Sequence, residues 1–224
     1  MEVFNGTARD VLDNVREDMK KEVVTLDRKS NFFVALWVLQ KNEITSAPVL
    51  DEEGKVVGIC DLLDLVACAL MTYEDRKQLF EREMLQFASS ELSHSDVQTI
   101  ANMSMRNRLE LVGEDTPVGD IVRLFSAAGG LHRVVVRGQD GKLSGLISQT
   151  DLLRHIARRE YRALEALRVG EWARKELVSC SPLSEASKAF EKLIDERVSA
   201  LPVLDGDGRL VTSFSASDLK GAEP

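Results

Sequence analysis

The chain has 224 residues, 44% of them hydrophobic and 29% charged, the composition of an ordinary globular protein of one or two domains with a real core. Its net charge of −8 argues against nucleic acid or an anionic membrane as the main partner, so an anionic ligand would need a local positive cluster. No apolar run reaches the roughly 18 residues of a membrane-spanning helix, and the polar start Met1–Asp10 lacks a signal-peptide core.

In chain order, the first predicted element is a short strand at Val23-Val24-Thr25, followed by a helix from Asn31 to Gln40. The apolar run Pro48-Val49-Leu50, a turn on Asp51 and Gly54, and a second run Val56-Val57-Gly58-Ile59 then read as a β-hairpin. Gly54 is the turn position that needs a positive φ. A second helix follows near Asp61 and Asp64. The stretch from Thr72 to Arg108 is longer than a spacer requires. Within it Glu74–Ser90 has helical spacing through Leu79, Phe80, Met84, Leu85 and Phe87, and Ser95-Asp96 reads as the cap of a short helix through Met103.

The same order of elements then recurs twice. The second copy runs from a strand at Glu110-Leu111-Val112 through a helix over Val118–Ala127 and a hairpin around Gly141 to a helix opened by Ser148-Gln149-Thr150-Asp151. After a short charged connector, Arg158 to Trp172, the third has Leu177-Val178-Ser179, a helix over Glu185–Leu193, a hairpin around Gly208, and Ser215-Ala216-Ser217-Asp218. Pro48 and Val135, Gly54 and Gly141, and Asp64 and Asp151 are each 87 apart, and the next step is uniformly 67. Each unit is β-α-β-β-α, and at about 55–60 residues it is too small to close a core comfortably. The expected fold is therefore α+β, with units packed in pairs, sheet against sheet. Cys60, Cys68 and Cys180 are odd in number, lack CxxC spacing and lie in apolar context, so they read as small buried hydrophobes in a reducing compartment. Trp37 and Trp172 are expected in the core.

Hydrophobic-Pro-Val-hydrophobic-Asp-x-x-Gly followed by Gly-h-h-[Ser/Thr]-x-[Ser/Thr]-Asp resembles the hallmark of cystathionine-β-synthase (CBS) domains. The resemblance implies repeat one over 5–72, a helical insert or linker over 73–106, repeat two over 107–160, a linker over 161–172 and repeat three over 173–224, with no fourth copy. It also implies that repeats one and two form a Bateman-type pair. Leu131-His132-Arg133-Val134 is similar to the γ, nucleotide-sensing subunits of AMP-activated protein kinase, where basic residues at these positions neutralise phosphates in a central channel. Those subunits have four repeats. The missing fourth would leave repeat three with an uncovered face, filled by another subunit or a second copy.

A carboxylate at a helix start can accept both hydroxyls of a ribose, and neighbouring hydroxyls and helix N–H groups can hold a phosphate. The resemblance places these roles on Ser148, Thr150 and Asp151, and on Ser215, Ser217 and Asp218. Ser-x-x-Asp also caps helices, and both roles stay open. His132-Arg133 could equally end a strand in solvent. Repeat one departs, with Asp61 and Leu63 replacing the hydroxyl residues, although Asp64 could still hold a ribose.

No nucleophile elbow, metal motif or P-loop is present, and His94, His132 and His155 lie in unrelated contexts. The leading expectation is a non-catalytic, cytoplasmic (and also nuclear) regulatory subunit at which AMP, ADP and ATP compete, partnered by kinase catalytic and scaffold subunits. Two alternatives remain: a stand-alone CBS module for an adenosyl compound such as S-adenosylmethionine, and an interaction scaffold with decayed repeats. No required cofactor, nucleic acid or membrane enters any of the three.

Overall fold

The computed structural model describes residues 4–19, 23–74, 90–106, 108–127, 131–165, 168–173 and 176–221. Three hairpins carry the fold. β1 (Leu26–Asp27), β2 (Ser46–Leu50) and β3 (Val56–Asp61) form one sheet in that order, with β1 parallel to β2 and β3 antiparallel. β4 (Leu111–Gly113), β5 (Arg133–Arg137) and β6 (Leu143–Ser148) repeat the arrangement. β7 (Ala200–Leu204) and β8 (Leu210–Ser215) form a third, two-stranded sheet. All three hairpins bulge at the same register, just after Val49, Val136 and Val203. All three turns close on a left-handed glycine, Gly54, Gly141 and Gly208, with φ of 77°, 79° and 77°.

The first strand departs from expectation in repeats one and three, while in repeat two it lies at Leu111–Gly113, within one residue of the expected Glu110-Leu111-Val112. In repeat one it lies at Leu26–Asp27 rather than Val23-Val24-Thr25, because Leu26, opposite Val49, is the residue that drops into the core. In repeat three the expected strand Leu177-Val178-Ser179 shrinks to a single bridge from Cys180 to Val203.

Among the described residues, besides a helical stretch at 90–94, the helices are α1 (Ala8–Met19), α2 (Phe32–Lys41), α3 (Leu62–Glu74), α4 (Val97–Ile100), α5 (Val118–Ser126), α6 (Gln149–Glu165), α7 (Val169–Trp172) and α8 (Ala186–Asp195), with a 3-10 turn over Ala216–Gly221. Asn31 caps α2 by accepting from Val34 N at 3.0 Å, and Asp96 caps α4 by accepting from Thr99 N at 2.9 Å. Most of the helix expected over Glu74–Ser90 falls outside the described residues.

Repeats one and two meet sheet to sheet, as expected of a pair. Val56 and Ile59 of β3 pack on Val135 of β5, flanked by Leu50, Leu109, Leu111, Leu143 and Leu146. The pair is also tied by an exchange that sequence reasoning missed. α1 opens repeat one ahead of its first strand, yet Ala8, Val11 and Leu12 complete the core of repeat two with Val134, Val136 and Ile147. Backbone bonds fix it there: Ala8 N donates to Thr116 O and Arg9 N to Glu114 O, both at 2.9 Å, and Val118 N donates to Gly6 O at 3.0 Å. Conversely, α4 precedes repeat two but buries Val97 and Ile100 in the core of repeat one, with Val97 N donating to Ser30 O at 2.7 Å.

Glycine permits both crossings. A Cβ on Gly145 would lie 2.5 Å from Leu12 Cδ2, and one on Gly58 would lie 3.1 Å from Ala101 Cβ. Thr212 holds the same register in repeat three and is exposed.

Repeat three packs through helices instead. Ala189 and Leu193 of α8, with Leu201 and Ala216, join the core that includes Leu62, Leu63, Leu65 and Cys68 of repeat one. Its sheet faces outward, leaving Leu210 69%, Leu177 63% and Val211 57% exposed. Trp37 corrects the expectation of a core residue: it is 56% exposed, with Lys41 Nζ 4.5 Å from its ring centroid. The side chain of Trp172 lies outside the described residues. Cys60 and Cys68 are buried as expected, whereas Cys180 is only half-buried, and all three are free thiols.

Candidate functional site

Each repeat brings two short segments to one place. The first is the residue at or just before the opening of the hairpin: Thr45, His132 and Ser199. The second is the start of the following helix: Asp61-Leu62-Leu63, Ser148-Gln149-Thr150 and Ala216-Ser217. These positions are equivalent under the same steps of 87 and 67 residues. With Arg106 they line a cavity of about 270 Å³ at the junction of the three repeats.

The cationic side is made by Arg106, His132 and Arg133. Arg133 Nη2 donates to Thr45 Oγ1 at 2.5 Å, joining repeat two to repeat one. Asp61, Asp151 and Asp64 provide its counter-charge, partly offsetting the burial that pushes the guanidinium pKa down. Arg106 Nη2 lies 2.7 Å from His132 Nε2, and His132 Nδ1 lies 3.3 Å from Gln149 Oε1. Burial, and then the Arg106 charge, push the His132 pKa below its ordinary value, so the ring is neutral near pH 7. Thr45, Ser148, Thr150, Ser199 and Ser217 add hydroxyls to the wall. The cavity therefore offers two guanidiniums, an imidazole and several hydroxyls to an anion, with one buried carboxylate, Asp61, opposing them.

Of the residues singled out from sequence, His132, Arg133, Ser148, Thr150 and Ser217 line this cavity. Asp151 stands directly behind the wall. Its Oδ2 accepts from Ser148 N at 2.9 Å and Ser148 Oγ at 2.6 Å, which is a helix-capping arrangement. Ser215 and Asp218 repeat the motif in repeat three, with Ser215 N donating to Asp218 Oδ2 at 2.6 Å. Sequence reasoning missed Arg106, which had been placed in a linker, and the wall positions Leu62, Gln149, Ser199 and Ala216. The only signal for the wall positions was their register with His132, Ser148 and Thr150.

Asp64 requires a correction. It is 0% exposed and cannot present its carboxyl to a ribose in this arrangement. Its Oδ2 accepts from Asp61 N at 2.9 Å, and its Oδ1 accepts from Ser104 N at 3.0 Å and Ser104 Oγ at 2.6 Å. It thus clasps the connector to repeat one. Burial and the neighbouring Asp61 push its pKa up to about 7. The folded protein keeps this proton where the unfolded chain, with a pKa of about 3.9, has lost it. Stability present at low pH should therefore decline as pH rises from about 4 to about 7. Thermal midpoints across this window should fall for the wild type and fall less steeply for Asp64→Asn. An equal slope in both would show that Asp64 does not carry the effect.

Comparison with known proteins identifies this architecture. The CBS domain family profile matches residues 8–70, 97–158 and 169–223. The chain belongs to the CBS domain family. Among CBS relatives, the chain is 26% identical over 222 residues to Protein SDS23 of Candida albicans, covering 83% of this chain and 34% of that protein. It is 25% identical over 206 residues to the 5'-AMP-activated protein kinase subunit gamma-3 of Bos taurus, covering 89% of this chain and 39% of the subunit. The CBS chain thus spans little more than a third of either relative. Protein MJ1225 of Methanocaldococcus jannaschii, described as a candidate archaeal homologue of the kinase γ subunit, superposes with a TM-score of 0.68 at 17% identity, covering 91% of this chain and 69% of that one. Among the described residues of this CBS chain, no helix is long and apolar enough to cross a membrane.

Proposed function

We propose that this chain is a non-catalytic regulatory CBS protein that binds an adenine nucleotide where its three repeats meet, with AMP, ADP and ATP competing for one site. The observation that carries this reading is the convergence of Arg106, His132 and Arg133 with the Ser148, Thr150 and Ser217 hydroxyls on a single cavity. Guanidiniums, an imidazole and hydroxyls are the donors that phosphate oxygens require. Asp151, directly behind Ser148, is the carboxylate best placed to take ribose hydroxyls once it exchanges its capping bonds. Ser215 and Asp218 keep the same grammar for a second occupant.

The similarity to a kinase γ subunit supports catalytic and scaffold kinase subunits as partners. The outward sheet of repeat three, with Leu177 and Leu210 exposed, is the surface for such a subunit or for a second copy. Light scattering over a concentration series tests self-association, and a mass that stays monomeric would leave only a foreign subunit.

Asp61 favours one second reading. This carboxylate is 6% exposed on the cavity wall, which suits a ligand with little negative charge, such as S-adenosylmethionine in a stand-alone module. Thermal unfolding with millimolar AMP, ADP, ATP or S-adenosylmethionine separates the two. A ligand at about 100 times its dissociation constant stabilises by about 2.7 kcal/mol, which moves the midpoint of a chain this size by about 5–11 °C. The nucleotide reading expects a shift with AMP and ATP that is lost in Asp151→Ala. A shift with S-adenosylmethionine alone would transfer the protein to the second reading.

A further inference from the structure

Arg106 reaches the cavity from the segment between repeats one and two, at the end of a tight turn in which Asn102 and Met105 are left-handed, with φ of 67° and 55°. Two residues earlier, Ser104 anchors that turn to Asp64 through its backbone N–H and hydroxyl. An arginine has donors only, so at 2.7 Å from Arg106 Nη2 the His132 Nε2 must be the acceptor. The ring proton then sits on Nδ1, facing Gln149 Oε1 at 3.3 Å. In this state His132 offers the cavity no Nε2 donor, and Arg106 is not fully engaged either. Among the described residues its buried Nη1 has no hydrogen-bond partner, which costs free energy that a ligand oxygen would recover. Both groups are in a resting arrangement ill-suited to a phosphate, although they lie on the wall that a phosphate would meet.

We propose that Arg106 and His132 exchange partners when a nucleotide enters: the phosphate draws the Arg106 guanidinium off His132 Nε2, and His132 takes one proton from solvent onto Nε2, keeps it, and donates that N–H as a hydrogen bond to the same phosphate. This rests on the cavity's being a nucleotide site, and it adds a third phosphate-binding cation and a proton-linked affinity to that reading. The charged groups facing His132 are Arg106 from the connector, Arg133 from β5 and Asp61 from β3. Burial, and then Arg106 and Arg133, keep the ring neutral while the cavity is free, and Asp61 pulls the other way. A phosphate that engages Arg106 removes the nearest cation from the ring and adds a negative charge, so both changes favour the imidazolium. Affinity should therefore rise as pH falls toward about 6.5.

Calorimetric titration of the full chain with ATP, AMP and adenosine at about pH 7.5, in two buffers of different ionisation enthalpy, tests the exchange. ATP binding should take up protons from the buffer, and adenosine binding none. Arg106→Gln should weaken ATP about tenfold while leaving adenosine within about twofold, and Arg106→Lys should recover part of the loss. Unfolding of the ligand-free variants checks that their fold is intact. Nucleotide binding without proton uptake, or ATP affinity unchanged in Arg106→Gln, would overturn the exchange while leaving the nucleotide site in place. If the wild type binds adenosine but gains nothing from phosphates, the exchange and the phosphate-binding role of the cavity both fall. Failure to bind any of the three would remove the nucleotide reading itself.

Discussion

Gly145→Val should destabilise the protein by about 3 kcal/mol, seen as a lower urea midpoint. Gly145 lies on β6 directly beneath α1, and a Cβ there would stand 2.5 Å from Leu12 Cδ2, 2.8 Å from Cδ1 and 3.2 Å from Cγ. The end of a leucine can normally swing aside. Leu12, however, is 4% exposed and sits in a closed core with Ile147, Leu152 and Ile156, so no free rotamer volume is at hand. Either the core is overpacked or α1 lifts, exposing Ala8, Val11 and Leu12 together. Leu12→Ala should offset part of the cost of the valine, giving a coupling that a double-mutant cycle reads directly. The control lies within the same chain. Thr212 holds the equivalent strand position but is exposed, so Thr212→Val should stay within about 0.5 kcal/mol. Similar losses at the two positions would show that the exchanged helix is not what makes Gly145 special.

Arg133→Ala should weaken ATP about 100-fold, equivalent to about 3 kcal/mol of binding. Arg133 is placed to do more than meet a phosphate. It bonds Thr45 across the repeat boundary, and Asp61, Asp64 and Asp151 lie around it. Removing it takes one of two guanidiniums from the cavity and weakens the counter-charge to Asp61 on the wall, so an incoming anion meets less attraction and more opposition. Arg133→Lys should restore the charge but not the forked geometry, leaving affinity between wild type and alanine. Calorimetry with ATP checks all three proteins. ATP affinity unaltered in Arg133→Ala would remove the phosphate-binding role of this cavity.

The helix-start carboxylates show why a motif is not yet a site. In all three repeats the backbone N–H three residues before the Asp donates to it: Asp61 to Asp64, Ser148 to Asp151 and Ser215 to Asp218. The shared bond is a cap, and it explains the repeated Asp without any ligand. Ligand chemistry then depends on what else surrounds each copy. Ser104 seals Asp64 into the core, whereas Asp151 adjoins a wall with cations and hydroxyls.

What the sequence determined by itself is the local grammar written three times: hairpins with a glycine turn, helices with capped starts, and a common register of 87 and 67 residues. Those features depend on φ preferences and on periodicities of 2 and 3.6, which act within about ten residues and are visible in one unit. The sheet-to-sheet pairing of repeats one and two followed because a unit this small must bury its open face. Tertiary structure alone decided the rest. The exchange of α1 and α4 depends on which sheet face each short helix can reach, and its trace in sequence, Gly58 and Gly145, looks like any strand glycine until Ala101 and Leu12 are seen above it. Trp37 lies in the almost wholly apolar run of α2, whose sequence marks no outer face, and only the packed orientation of that helix turned it to solvent. The cavity joins Thr45, Arg106 and His132 from separate segments, and their chemistry arises from proximities of 2.5–2.7 Å among side chains 26 and 88 residues apart. Such contacts leave no periodic mark, because they are set by how whole repeats dock rather than by the conformational preferences of neighbouring residues.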